Sequence, residues 1–334
     1  MKRVADVKLR VIGQGGGVYS TIAHGCSMTS YLLEIFNNRR LLKILLDTGY
    51  GTLGNALKMG IDPTQIDIIS LSHFHIDHAA DLAPFIHARE RLAMKQGKTL
   101  GKLLVYGPVG TEDLFWGQEP LFGDRDFDPD IKFLEGPQKY GKIETVEVYH
   151  SDNIQSLATI FRGGYRKIVY TGDLRNDPRN FAALSGCARK ADLLITEAAE
   201  VSNWHFDIEA AIRLYHACEA GYMVLGHGRP HYMPVVREAC ESSNGLFFQA
   251  LDGATIKSDN LRFSFLCLFS AYARGPIPVR TRVKNAEDRL TLVFFMLKVS
   301  QKEVCHGQRN FIGNNGHRTY FGCALCLGIF NDAV

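Results

Sequence analysis

Ser72-His73-Phe74-His75-Ile76-Asp77-His78 places four metal-ligating side chains within six residues, directly after the apolar run 66–71. Side chains alternate along an extended chain, so His73 and His75 project to one side and can grip one cation together. Asp77 and His78 come where the chain bends toward the helix-like segment 82–94, and they can reach a second cation beside the first. Imidazole nitrogen and carboxylate oxygen suit zinc and other borderline divalent metals. Two such ions, about 3.5–4 Å apart and bridged by hydroxide, would be poised for hydrolysis. The plain alternative is a His-rich surface loop. The apolar sequence around the cluster argues against it, because polar groups at the end of a buried strand need partners.

Working outward, other short apolar runs end in residues of the same chemical kind. Residues 42–46 precede Asp47, 146–149 precede His150, 167–171 precede Gly172-Asp173, and 222–226 precede His227. Continuous apolar runs of this length read as strands buried on both faces. If the strands end at one edge of their sheets, their terminal residues converge there. Helix-like segments lie between them at 54–59, 82–94, 111–115 and 208–220, the last with Asp207 as N-cap and Gly221 as its stop. The alternation predicts an α/β fold, with helices layered outside sheets.

The 334 residues are 46% hydrophobic and 22% charged, enough apolar material for one large core or two smaller ones and too much for a disordered chain. A formal charge of +3 does not by itself mark a nucleic-acid binder. Residues 258–334 nevertheless hold 10 of the 38 basic and 5 of the 35 acidic side chains, so a near-neutral body is followed by a basic tail. No apolar run suggests a signal peptide or a membrane span, and the eight cysteines then read as free thiols in a soluble, cytoplasmic protein.

The pattern His73-x-His75-x-Asp77-His78 resembles the signature of the metallo-β-lactamase-fold hydrolases. The resemblance extends over residues 7–257: Leu46-Asp47-Thr48-Gly49 is similar to the family's first motif, His150 to its third, Gly172-Asp173 to its bridging aspartate, and Gly226-His227 to its last ligand. It implies an αββα four-layer sandwich over residues 1–257. It also implies two divalent ions, zinc first and manganese or iron as options. One would be held by His73, His75 and His150, the other by Asp77, His78 and His227, with Asp173 bridging and Asp47 orienting a ligand from behind. Taken singly, His150 or His227 could be an ordinary buried histidine, Asp47 a turn residue and Asp173 a helix cap. Their joint order after these strands is what argues for a site.

A carboxylate at position 173 favours a bridged dinuclear hydrolase over antibiotic hydrolysis. Two divalent cations outweigh Asp77, Asp173 and a bridging hydroxide, leaving a positive centre suited to anionic esters. His205 precedes the segment 208–220, and the run 222–226 covers a comparable distance back, at about 1.5 Å per helical and 3.3 Å per extended residue. His205 is thereby returned to the end where His227 sits. A general acid is its natural role, with Glu197 holding the imidazole charged; the catalytic groups are then His205, Asp77 and Glu197. A helix-flanking surface histidine and a strand-end glutamate are the structural alternatives.

His205 and His227 spaced 22 apart, Ile195-Thr196-Glu197-Ala198, and Val11-Ile12-Gly13-Gln14-Gly15-Gly16-Gly17 are similar to the ribonuclease Z branch. Bacterial and archaeal enzymes of that branch usually insert a tRNA-gripping arm between His150 and Asp173, but only 22 residues lie there. No arm fits, so a small phosphodiester suits the site as well as an RNA end does. The aromatic stretch 114–122 offers either a substrate wall or helix core.

Residues 258–334 match no known pattern. Cys305, His317 and Cys323-x-x-Cys326 could form a minor zinc-binding element; a disordered extension, or sequence read in a shifted frame, would look the same. The resulting expectation is a dinuclear phosphodiesterase acting on an anionic ester, with no membrane partner and with a homodimer as one option. An arylsulfatase or thioester hydrolase on the same metals is the second enzymatic reading. A non-catalytic metal-dependent RNA-binding protein is the reading from another class.

Overall fold

A computed structural model describes residues 6–18, 27–37, 40–118, 120, 127–259 and 262–266. The chain divides into Met1–Ala273 and Arg274–Val334. The second unit lies outside the described residues, and with it the candidate zinc element of Cys305, His317, Cys323 and Cys326.

Two sheets carry the described unit. The first has eight strands, in the spatial order β15 (Arg262–Leu266), β14 (Thr255–Asp259), β1 (Asp6–Gly13), β2 (Ser30–Asn37), β3 (Arg40–Leu46), β4 (Ile68–Ser70), β5 (Leu103–Gly107) and β6 (Ile131–Glu135). The second has seven: β13 (Phe247–Gln249), β12 (Tyr222–Gly226), β11 (Leu193–Glu197), β10 (Arg166–Tyr170), β9 (Ile154–Gly163), β8 (Ile143–Ser151) and β7 (Gln138–Tyr140). Val7, Leu9 and Val11 of β1 alternate with half-buried Asp6, Lys8 and Arg10, a period of two that faces one side of the strand inward. All five residues of β11 are buried, as its unbroken Leu-Leu-Ile-Thr-Glu run demands.

The layers follow from which side chains meet. Leu33, Ile44 and Leu46 of the first sheet pack with Phe161, Ile168 and Ile195 of the second in one central core. Behind the first sheet, Ala56 of α1 (Thr52–Lys58), a short α2 (Ile76–Ala79), and Phe85 and Ile86 of α3 (Leu82–Gln96) build an outer core that also takes in α4 (Thr111–Trp116). Behind the second sheet, Leu184 of α5 (Pro178–Cys187), Leu214 of α6 (Ile208–Ala217) and Val236 of α7 (Met233–Ser242) build the other. The result is a four-layer αββα sandwich. Asp207 caps α6 by accepting from the Ala210 amide at 2.7 Å.

Two expected boundaries need correction. The first sheet runs past residue 257, because β14 pairs antiparallel with β15 from Thr255↔Leu266 to Asp259↔Arg262. Helix α6 stops at Ala217, before the expected 220: Glu219 turns left-handed (φ 48°), and the Gly221 amide is taken by Ala191 O at 2.8 Å as the chain enters β12. Phe115 is fully buried and meets Trp116 and Phe133, so this part of the aromatic stretch is core. Between His150 and Asp173 the chain forms only β9 and β10 after the end of β8. Cys187, Cys218 and Cys240 are free thiols, and no helix among the described residues is long and apolar enough to cross a membrane.

One buried carboxylate ties the outer helices together. Asp81 accepts from the Leu53 amide at 2.9 Å and from the neighbouring Gly51 and Thr52 amides, completing an α1 N-terminus that has no side-chain cap of its own. Burial pushes the Asp81 carboxyl up despite these donors. A carboxyl raised on folding contributes its full stability below its unfolded pKa of about 4 and loses it as the pH climbs through the folded value. Asp81→Asn should therefore gain on the wild type in urea-denaturation midpoint between pH 4.5 and 7.5. A difference independent of pH would refute this assignment.

Candidate metal centre

The site forms where strands from both sheets end at a common edge, and Asp47 holds those ends together. The chain leaves β3 and turns at Asp47 in the left-handed region (φ 56°), which a short carboxylate side chain tolerates better than most. The fully buried carboxylate accepts from the Ser72 amide (2.6 Å), Ser72 Oγ (2.7 Å), His78 Nδ1 (2.6 Å) and the Tyr170 hydroxyl (2.5 Å). With its Nδ1 proton committed to Asp47, His78 turns Nε2 toward the centre.

His73 and His75 follow β4 in extended chain, and His75 is the N-cap residue of α2, which carries Asp77 and His78. His73 Nε2 lies 2.9 Å from His75 Nδ1, as two alternating side chains on one side require. His150, on β8 where the β8–β9 register shifts between Val148 and Ser151, brings Nε2 to 3.4 Å from His75 Nδ1 and donates from Nδ1 to Trp204 O at 3.1 Å. His73, His75 and His150 thus form one cluster whose ligand atoms lie within 4.8 Å of one another. Asp77, His78 and His227 form another. His227 follows β12 with φ 53°, its Nδ1 lies 3.2 Å from Thr29 Oγ1, and its Nε2 lies 3.8 Å from Asp77 Oδ2.

Asp173 stands between the clusters. Its Oδ2 is 3.9 Å from His73 Nε2 and 3.8 Å from His150 Nε2; its Oδ1 is 3.3 Å from His78 Nε2 and 3.1 Å from His227 Nδ1. The preceding Gly172 (φ 61°) makes this approach feasible, since a Cβ there would lie 2.5 Å from the Ser72 Cβ. Gly226, before His227, is equally constrained: a Cβ would sit 1.8 Å from the Tyr31 hydroxyl.

Glu197 ends β11. It accepts from the Leu174 amide (2.5 Å), the Phe206 amide (3.2 Å) and His205 Nδ1 (2.8 Å), so a buried carboxylate fixes the imidazole from behind. His205 stacks on His227 at 5.2 Å and lies 3.7 Å from Asp173 Oδ2. All ten residues singled out in the sequence meet in one place. Ser72, Tyr170, Thr29 and the Trp204 carbonyl were missed. Ser72 adjoins His73 and Tyr170 ends a strand run, but nothing local says that either reaches a partner in another strand.

The charges are ordered. Burial holds the His73 imidazole well below its ordinary value, lowers His75, and drives His150 down to about 4 and His227 down to about 3, so all four offer neutral nitrogen lone pairs. Burial opposes a charge on His78 as well, but Asp173, Asp47 and Asp77 outweigh it and raise this imidazole, so the carboxylates around Nε2 draw positive charge to that atom, a proton or a divalent ion in its place. Asp173 stays ionised against its own burial because His227 and His78 surround it. His78 Nε2 and Asp173 Oδ1 are buried and make no hydrogen bond. Buried orphans of this kind, in a nest of neutral imidazoles and carboxylates, fit divalent cations.

The sequence model of the Metallo-beta-lactamase superfamily matches residues 26–185. A ribonuclease Z of Ligilactobacillus salivarius is 32% identical over 108 residues, 32% of each chain. A ribonuclease Z of Pyrobaculum arsenaticum is 24% identical over 268 residues, covering 69% of this chain and 90% of the relative. The metallo-beta-lactamase fold protein YhfI from Bacillus subtilis superposes with a TM-score of 0.58 at 22% identity, over 76% of this chain and 99% of YhfI. The chain has the metallo-β-lactamase fold. Within that fold its sequence is ribonuclease Z-like, although the match spans about a third of the Ligilactobacillus salivarius protein.

Metal analysis tests the site directly. After loading with zinc and desalting, the wild type should retain two ions per chain, and Asp173→Asn fewer. Asp47→Asn, at a residue outside both ligand clusters, should weaken retention by about 10–100-fold by loosening His78 and the loop that carries His73. Unchanged retention in Asp47→Asn would reduce that carboxylate to a packing role.

Proposed function

We propose that this chain is a dinuclear metal-dependent phosphodiesterase. Supporting this most directly is Asp173, whose two oxygens each face one of two ligand triads while the His205–Glu197 pair borders the same space. His73, His75 and His150 would hold one ion and Asp77, His78 and His227 the other, with Asp173 shared; zinc, manganese and iron all suit these donors. Bound divalent ions supply Lewis acidity at a phosphoryl oxygen and make water a usable nucleophile near neutral pH.

The chain's own residues complete the chemistry. Glu197 accepts the Nδ1–H hydrogen bond of His205, leaving Nε2–H as the group able to donate. Burial disfavours a charge on His205, yet the Glu197 carboxylate outweighs it and raises the imidazole to about 9, so it carries its proton at neutral pH. That proton matters for an ester whose leaving group is an alkoxide and less for one that releases a thiolate, which favours phosphodiesters over thioesters. Asp77, anchored by the Gly17 amide at 2.6 Å, and Asp47 hold their ligating neighbours in place. The ribonuclease Z relatives support an RNA end as substrate, and a small phosphodiester fits the same chemistry.

The metal-loaded protein should cleave bis-(p-nitrophenyl) phosphate in preference to an aryl sulfate or a glutathione thioester. A chelator should stop the reaction and added metal restore it. His205→Ala should lose about 10²–10⁴ in rate on a diester with an alkoxide leaving group and much less on the nitrophenyl ester. Turnover of the thioester or sulfate alone would replace this reading. Metal binding with salt-sensitive RNA binding and no turnover would make the chain a binding protein.

A further inference from the structure

We propose that Trp204 is a stacking surface for a nucleobase on the leaving side of the scissile phosphodiester, an inference that rests on the phosphodiesterase reading. Trp204 is a large aromatic residue left half exposed (52%). Its place is nonetheless fixed. The carbonyl of Trp204 accepts from His150 Nδ1 at 3.1 Å, and its amide donates to Ser202 Oγ at 3.2 Å. The Arg175 guanidinium lies 4.6 Å from the indole centroid and is itself held by donating to the Tyr149 hydroxyl at 3.0 Å.

An indole held at its backbone and against a guanidinium, yet exposed over half its area, makes little contribution to the core. It offers area to a planar partner instead. Position follows from chemistry. A proton donated by His205 goes to the departing oxygen, so the group bearing that oxygen must lie beside His205, and Trp204 is the adjacent residue. Every nucleobase presents a π-face, and an arginine against the aromatic platform adds attraction for an electron-rich ring. The partner that fits is the base of the nucleoside released on cleavage, as at an RNA end or in a dinucleotide.

Two substrates separate this contact from the rest of the site: adenylyl-(3′→5′)-adenosine, which releases adenosine whichever P–O bond is cut, and the methyl ester of the adenosine monophosphate left behind, which releases methanol. Base–aromatic stacking is worth about 5- to 150-fold in affinity. In Trp204→Ala the ratio of kcat/KM on the dinucleotide to that on the methyl ester should fall at least about five-fold, and Trp204→Phe should retain most of it. A ratio equal to that of the wild type overturns the proposal, whatever happens to the absolute rates. A second measurement needs no turnover and no alanine variant. The chain has two tryptophans, and Trp116 packs against Phe115 in the outer core. Adenosine monophosphate should quench wild-type emission where ribose 5-phosphate does not, and Trp204→Phe should abolish the difference; equal responses to the two ligands overturn the proposal. Selective quenching with no cleavage of either ester would uphold the stacking surface and sink the enzymatic reading. Cleavage of both esters with an unchanged ratio would do the reverse.

Discussion

The carboxylate of Asp47 is the constraint on which the candidate metal centre depends. An ionised carboxylate without partners costs several kcal/mol to bury, and four donors offset that here. The donors come from different parts of the chain: the loop after β4, the helix α2, and the strand β10 in the opposite sheet. Satisfying one buried charge therefore fixes the end of β3, the loop carrying His73, the rotation of His78 and the spacing between the two sheets. Tyr31 reinforces that spacing, meeting Tyr170 edge-on at 5.7 Å and filling the space beside Gly226.

Around this anchor, burial does two opposite jobs. It strips protons from His73, His150 and His227, where no carboxylate attraction is strong enough to keep them, and so prepares lone pairs. At His78 and His205 carboxylates win against the same burial and raise the imidazoles, which leaves a proton on His205 and favours positive charge, of a proton or of a cation in its place, at His78 Nε2. His78 lies among three carboxylates, with Asp47 at 2.6 Å, and His205 touches Glu197 at 2.8 Å; His73 and His150 come no nearer than 3.8 Å to Asp173, and at His227, 3.1 Å from Asp173 Oδ1, burial prevails all the same. Burial and a few carboxylate oxygens thereby set which imidazoles offer lone pairs and leave His205 as the one that keeps its proton.

Much of this was legible in the residues. The strand runs before Asp47, His73, His150, Asp173 and His227 are local patterns of apolar side chains, and period-two geometry already placed His73 with His75. The return of His205 toward His227 was legible too, because a ten-residue helix and a five-residue strand span similar distances of about 15–17 Å. The end of the first sheet was misplaced, since whether Arg262–Leu266 pairs with β14 depends on an edge being open for it, which composition does not reveal. The aromatic stretch was ambiguous for the same kind of reason: Phe115 is core because Phe133 of β6 lies against it.

By itself, then, the sequence determined the α/β alternation, the strand ends that carry ligating side chains, and the local grouping of His73, His75, Asp77 and His78, because backbone period and hydrophobic pattern act over a few residues. Tertiary structure decided the rest. Only the apposition of two sheets brings Tyr170 to Asp47 across 123 positions of chain, or His150 to the Trp204 carbonyl across 54. Only that close approach explains why Gly172 and Gly226 have no room for a side chain. Such contacts join atoms distant in sequence through the free energy of a packed, desolvated interior, and no short stretch of residues encodes it.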